Sequence, residues 1–192
     1  MKERGIVLPE KEVPITKRVI HTSADFSYAE TMTYSPGAIE QALELIKGGA
    51  HIVTDTNMAK AGINKKTLAR FGGQVHCFMA DEAVAKEAKE RGVTRAVVSM
   101  ETAARLPGPV IFAIGNAPTA LIELHEMIEQ GAYVPAFIIG VPVGFVNVEA
   151  AKGLFLDGDV PYIINRGRKG GSNIAAAICN ALLYLSSNNI RD

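Results

Sequence analysis

The 192-residue chain has no tryptophan and only two cysteines, aromatic residues are 6% of it, and 20 Lys and Arg are offset by 20 Asp and Glu. Each shortage removes a class of protein. With no basic excess, the chain lacks the electrostatic footprint of a nucleic-acid binder. At 48% hydrophobic residues it is too apolar to stay disordered. Cys77 and Cys179 each sit in an apolar run without a second Cys or a His at ligand spacing, so neither a disulfide framework nor a metal site is expected, and a reduced, cytoplasmic setting is. Met1 to Pro9 carry charge but no apolar h-region, so no signal peptide is expected. The longest apolar stretch, Val134 to Val146, is interrupted by Pro135, Gly140, Pro142 and Gly144. It falls short of the ~20 residues of a membrane span. With nucleic acid and membrane excluded, the expected partner is a small molecule or a second copy of the chain.

Short Val- and Ile-rich runs alternate with longer segments of helical period, and Gly, Pro, Asn or Ser mark nearly every joint. That alternation predicts one α/β domain over residues 1–192, a mostly parallel sheet of about five strands covered by helices on both faces. The expected strands are His51 to Thr54, Gln74 to Met79, Val110 to Gly115, Ala136 to Val141 and Tyr162 to Asn165, all apolar enough for central positions. Pro36 to Lys47 is the clearest helix, with Ser35 as its expected N-cap and Gly48-Gly49 as its stop. Further helices are expected at Asp81 to Arg91, Thr94 to Leu106, Pro118 to Gln130 and Ser172 to Leu185. Pro14 to His21 fits a strand or a helix. The helix is preferred, with Ile15, Val19 and Thr22 on one face, Arg18 and His21 three apart, and His21 near a C-terminus whose dipole favours positive charge.

Standard nucleotide and zinc-protease signatures are missing: no Gly-x-x-x-x-Gly-Lys-Ser/Thr, no Gly-x-Gly-x-x-Gly after the first strand, no His-Glu-x-x-His. Two glycine-containing turns lead from a strand into a helix instead, Gly115 to Thr119 and Gly167 to Asn173, the second with Arg166, Arg168 and Lys169. They read either as ordinary turns or as anion sites at helix N-termini, and together they suggest a ligand with several separated negative groups. His51, His76 and His125 fall inside regular elements and read as packing or surface residues. His21 differs, in a cluster of Arg, hydroxyls and a carboxylate. Asp55, ending a strand, reads as a ligand contact or as the cap of the next segment. No nucleophile elbow accompanies them, so covalent catalysis is not expected.

Six ordered blocks, Arg-Val-Ile-His-Thr-Ser-Ala-Asp-Phe (18–26), Thr-Asp-Thr-Asn-Met-Ala-Lys-Ala-Gly-Ile-Asn-Lys (54–65), Gly-Val-Thr-Arg (92–95), Ile-Gly-Asn-Ala-Pro-Thr-Ala-Leu (114–121), Gly-Val-Pro-Val-Gly-Phe-Val (140–146) and Gly-Arg-Lys-Gly-Gly-Ser-Asn (167–173), resemble the precorrin-8X methylmutases of cobalamin biosynthesis. The resemblance runs from about Lys17 onward and leans toward the cobalt-precorrin-8 enzymes. It implies an isomerase without a cofactor that moves a methyl group from carbon eleven to carbon twelve of a corrin macrocycle, acting as a homodimer with sites at the subunit interface. It implies His21 as proton donor and acceptor and Arg18 as a substrate contact. By position in matching blocks it also implies Thr56, Arg95, Asn116, Thr119, Arg168 and Ser172 as pocket residues.

Two departures from the family pattern are visible. Members carry an additional N-terminal segment with an Ile-Glu-x-x-Ser-Phe-like stretch, whereas Met1 to Thr16 precede the match here and no Ser occurs before Ser23. Part of the pocket is therefore expected to be missing or replaced. After Val146 the family reads Gly-Ala-x-Glu-Ser-Lys and this chain reads Asn147-Val148-Glu149-Ala150-Ala151-Lys152. An alternative expectation is thus a corrinoid-binding protein that sequesters product without converting substrate. Charge favours a polycarboxylate in either case: residues 1–20 hold 5 Lys and Arg against 3 Asp and Glu, and residues 161–192 hold 4 against 1.

Overall fold

The Val- and Ile-rich runs pair into one sheet in a computed structural model that describes residue 5 and residues 7–187. In chain order its elements are α1 (Val13–Ser23), α2 (Tyr28–Thr31), β1 (Met32–Tyr34), α3 (Ala38–Lys47), β2 (His51–Thr54), α4 (Asn57–Gly62), α5 (Lys65–Ala69), β3 (Val75–His76), α6 (Glu82–Arg91), α7 (Arg95–Ala103), β4 (Val110–Ile114), α8 (Pro118–Glu129), β5 (Phe137–Gly140), α9 (Val148–Gly153), β6 (Tyr162–Asn165) and α10 (Ser172–Ser186). The strands lie in the order β1-β6-β5-β4-β2-β3. All neighbours are parallel except β1, which runs antiparallel to β6 with Met32 opposite Asn165.

Every residue of β4, β5 and β6 is buried, as expected of parallel strands covered on both faces. One core joins Ile52, Ile111, Phe137 and Ile163 to α1, α3 and α10, and the opposite core joins Phe112, Ile114 and Ile138 to α7, α8 and α9. The three-layer expectation therefore holds. α10 is apolar almost all round, and it is enclosed accordingly, with Ile174 through Cys179 all buried between the sheet and α1, α3 and α4. Its alanines permit close approach: a Cβ on Gly62 would lie 3.1 Å from that of Ala176.

Several boundaries differ from expectation. The run Gln74 to Met79 supplies only the two-residue edge strand β3, and the chain leaves the sheet at Cys77. A sixth strand, β1, has only three residues and no burial pattern to announce it. Ser35 does not cap α3. Gly37 does, at φ 69°, while Ser35 Oγ accepts from Tyr162 N–H (2.9 Å) and the Ser35 N–H donates to Tyr162 O (3.1 Å), extending the β1–β6 pairing. α1 is helical as preferred, but its buried face is Ile15, Thr16, Val19 and Ile20, and Thr22 is exposed with its hydroxyl bonded to Arg18 O. α7 stops at Ala103, short of Leu106, and the short helices α2, α4, α5 and α9 carry too few turns to show a period. Among the described residues no helix is long and apolar enough to cross a membrane.

The turn after β4 touches the start of α10 backbone to backbone: a Cβ on Gly115 would lie 2.8 Å from both Gly171 O and Ser172 Cα. Gly115→Ala is predicted to cost about 1–3 kcal/mol by overpacking, lowering Tm by several degrees in a thermal melt. Gly153→Ala, at the end of α9 with open space around it, serves as the control and leaves Tm unchanged or slightly higher. Equal melting of both variants would contradict the assigned contact.

Candidate functional site

In an open α/β sheet, ligands favour the crevice where connections from adjacent strands depart to opposite faces. Here that point lies between β2, whose chain continues through α4 on the α10 side, and β4, whose chain continues through α8 on the other side. Asp55 fills the crevice. Only 1% exposed, it accepts the N–H groups of Gly115 (2.9 Å), Asn116 (2.7 Å) and Ala117 (2.6 Å) on its two carboxylate oxygens. Burial pushes its carboxyl above the usual carboxylate range, and the three N–H donors pull against that rise. The Gly115 to Thr119 turn, which the sequence leaves open between an ordinary turn and an anion site, holds the chain's own carboxylate. Nor does Asp55 cap the next segment, because Thr56 Oγ1 caps α4 by accepting from Ala59 N–H (3.1 Å). Thr56 also donates to Ser172 Oγ (2.7 Å), which brings two expected site residues together at the first turn of α10.

The neighbouring loop 166–171 is built on close backbone contact. A Cβ on Gly170 would sit 2.0 Å from Val141 O, so only glycine fits, and Gly171 N–H donates to that same carbonyl (2.9 Å). Below the loop lies Lys152, 1% exposed, whose ammonium donates to Gly167 O (2.7 Å) and Lys169 O (2.9 Å). Desolvation brings this amine down to about 8, opposed by the nearby Glu149 charge. Asn165 Nδ2 also donates to Lys169 O (2.9 Å), while its Oδ1 accepts from Thr31 Oγ1 (2.6 Å). Arg168 points away from this support, exposed, 3.2 Å from Glu149 and 6.0 Å from the Phe145 ring centre.

The same loop holds the end of α1. Lys169 Nζ donates to Asp25 Oδ2 (2.6 Å) and Ser27 Oγ (2.9 Å), and Asp25 is held down to about 2, chiefly by that lysine and by the Ser27 N–H. α1 closes at Ala24, a left-handed residue (φ 54°), with Ser23 Oγ donating to Val19 O and accepting from Asp25 N–H. His21 and Arg18 therefore stand one turn apart on the exposed face of α1, immediately before a segment tied to loop 166–171. Among the described residues neither makes a side-chain hydrogen bond.

The remaining expected residues are less tightly placed. Asn116 lies on the turn braced by Asp55, Thr119 in the first turn of α8 that follows it and Arg95, exposed, in the first turn of α7, all three without a side-chain hydrogen bond among the described residues. His51 and His76 pair with each other across β2 and β3 (3.4 Å), and His125 packs edge-on against Phe155, consistent with packing roles. Two grooves, of about 750 Å³ beside Tyr34 and Gln41 and about 350 Å³ beside Gly48 and Pro109, lie away from these residues. Exposed apolar side chains instead flank the site: Met58 at the start of α4, and Val143, Phe145 and Val146 after β5. Sequence reasoning missed Lys152, although it recurs four residues after the buried Val148, a spacing that puts a lysine on an apolar helix face.

The precorrin-8X methylmutase profile matches residues 1–185. The chain belongs to the precorrin-8X methylmutase family. The cobalt-precorrin-8 methylmutase of Priestia megaterium is 40% identical over 181 residues, covering 94% of this chain and 80% of that one. The corresponding Salmonella typhimurium protein is 43% identical over 173 residues, 88% and 80% of the two chains. Among solved structures, the precorrin-8X methylmutase of Thermus thermophilus superposes with a TM-score of 0.87 at 38% identity, over 97% of this chain and 92% of that one. A precorrin-8X methylmutase related protein gives 0.85 at 32% identity, over 94% and 96%. The family places the chain among the isomerases of cobalamin biosynthesis.

The departures at 147–152 acquire a physical reading against the family pattern. Asn147 stands where the pattern has glycine and takes a left-handed φ of 57°, a conformation that Asn tolerates best after Gly. Ala151, in the serine position, is buried in the core beneath α9. Glu149, one position early, reaches Arg168. The pattern's lysine is kept as Lys152.

Asp55→Asn puts an amide NH2 among three N–H donors and leaves at least one of them unpaired. The predicted loss is about 1–3 kcal/mol in a denaturant titration, accompanied by weaker corrinoid binding as the Asn116 turn relaxes. Unchanged stability together with unchanged affinity would refute the bracing role.

Proposed function

We propose that the chain catalyses methyl migration from carbon eleven to carbon twelve of precorrin-8 or its cobalt form, giving hydrogenobyrinate or cobyrinate, with His21 as the proton donor and acceptor. The observation that carries this reading is the tie from Lys169 to Asp25 and Ser27, which fixes the His21 end of α1 against the Arg168 loop. A flat macrocycle edged with carboxylates suits that arrangement. Arg18 and Arg168 are exposed cations for separate carboxylates, the hydroxyls of Thr56 and Ser172 lie between the loop and α4, and the His21 ring makes no hydrogen bond among the described residues. Proton transfer from His21 to a ring nitrogen beside the migrating centre draws electron density out of the conjugated system and promotes a sigmatropic shift. Return of the proton to His21 then completes the rearrangement. A positioned acid of this kind is worth ~10²–10⁴ in rate, and holding the macrocycle in its reactive shape supplies a further part.

The exposed Val143, Phe145, Val146 and Met58 support a homodimer in which a second copy covers this open edge and encloses the substrate. No cofactor enters the proposed chemistry, since the histidine alone moves the proton.

His21→Ala is predicted to lower kcat on precorrin-8 by at least about 100-fold while corrinoid affinity, followed by spectral titration, stays within about threefold of the parent. Turnover undiminished by that change sinks the role of His21. Tight product binding by the unaltered protein with no conversion would favour the product-sequestering alternative.

A further inference from the structure

We infer that Lys152 is a positioning residue for substrate binding, holding loop 166–171 from below so that Arg168 faces the ligand and Lys169 reaches the His21 helix. The inference rests on the corrinoid reading above.

Three features of the site lead to it. The Lys152 ammonium is buried, yet among the described residues both of its hydrogen-bond partners are backbone carbonyls, Gly167 O and Lys169 O, and no carboxylate bonds to it. Buried charges usually require a counter-charge or a dense set of polar partners. These two carbonyls bracket Arg168, so the bonds fix the backbone on either side of that exposed arginine. The second carbonyl belongs to Lys169, whose side chain goes on to Asp25 and Ser27. One buried amine thus connects α9, the arginine loop and the end of α1.

The exposed ion pairs around it are too weak to do this alone. Arg168 with Glu149 and Lys169 with Asp25 are both solvent-accessible pairs, a class worth ~0–1 kcal/mol each. They orient side chains, whereas the charge-assisted bonds from Lys152 hold the backbone. Among the described residues the charge acting on Lys152 is that of Glu149 on its own helix, while Arg168 and Lys169 of the loop above turn their side chains outward to Glu149 and Asp25. A polycarboxylate arriving at Arg168 adds negative charge over the loop and favours the ammonium form. By linkage, the ammonium form favours the polycarboxylate.

Affinity and stability then respond to alkali with opposite sign. The amine titrates near 8 in the folded protein and near its ordinary value of 10.5 when unfolded. The unfolded state therefore holds more protons between those values, and the Lys152 contribution to stability rises with pH across that window. Corrinoid affinity falls over the same window as the ammonium is lost. A residue with only a structural role would move the first quantity and not the second.

The experiment is a spectral titration of wild type and Lys152→Met with a hydrogenobyrinate-type corrinoid acid from pH 7 to 9.5 at constant ionic strength, alongside KM and kcat on precorrin-8. Wild type is expected to lose at least threefold in affinity over that range, with KM rising in parallel and kcat changing less than twofold. Lys152→Met is expected to bind about tenfold more weakly at pH 7 and to lose the pH dependence. Should Lys152→Met fail to fold, the wild-type profile and Lys169→Met decide: the latter, altered at an exposed position, is expected to raise KM several-fold while keeping the alkaline dependence. A flat wild-type profile, or the same profile in Lys152→Met, overturns the role of Lys152 and leaves the methylmutase reading intact. A wild-type protein that neither binds nor converts a corrinoid overturns both.

Discussion

Three backbone N–H groups converging on one buried carboxylate determine where this molecule can work. Asp55 belongs to the end of β2 and its donors to the turn after β4, so their bonds join the two strands at the point where the sheet would otherwise open. Removing a carboxylate from water is costly, and the cost is tolerated because both oxygens are satisfied. The fold thereby fills its usual ligand crevice with its own anion. On the proposed reading the ligand takes the adjacent surface, formed by the end of β5, the loop after β6 and the end of α1.

That adjacent surface rests on a second buried charge of opposite sign. Lys152 and Asp55 are both almost completely enclosed, and each is satisfied by backbone groups rather than by an ionic partner. Asp55 gathers N–H groups and Lys152 gathers carbonyls, so each charge organises a strand-to-helix turn from inside. The loops above are then free to expose Asn116 and Arg168, whose own side chains do not have to hold the backbone. Gly170 permits this geometry, because any side chain there would meet Val141 O. The loop lies flat on the end of β5, within reach of Lys152.

The sheet was legible in the sequence wherever burial on both faces imposed continuous apolar runs, as in β2, β4, β5 and β6. β1 and β3 were not, because a two- or three-residue edge strand carries no pattern of its own and is defined by its neighbour: Ser35 and Met32 are placed by pairing to β6. His21 and Arg18 were named through the family resemblance, and local spacing added only that one helix turn brings them together. Asp55 was recognised as unusual but assigned the wrong partners, as its donors lie about sixty residues downstream and only the parallel pairing of β2 with β4 brings them near. Lys152 failed for the opposite reason. Its partners are close in sequence, but they are carbonyls, which no side-chain motif records.

The glutamate displacement at 149 bears on how substrate enters. Glu149 and Arg168 are each more than half exposed and separated by 3.2 Å, a pairing that a ligand carboxylate can replace at little cost. The glutamate lies against the Arg168 side chain, which also approaches the Phe145 ring, and offsets its charge. On the proposed reading an incoming carboxylate takes over the guanidinium, while the Glu149 charge favours the ammonium form of Lys152. Arg168, on that reading a cation that awaits a polyanion, is held by an acid that can be displaced. The charge balance read from composition is therefore compatible with a strongly anionic ligand, because the neutralising acid is a neighbour of the site and not a component of its buried support.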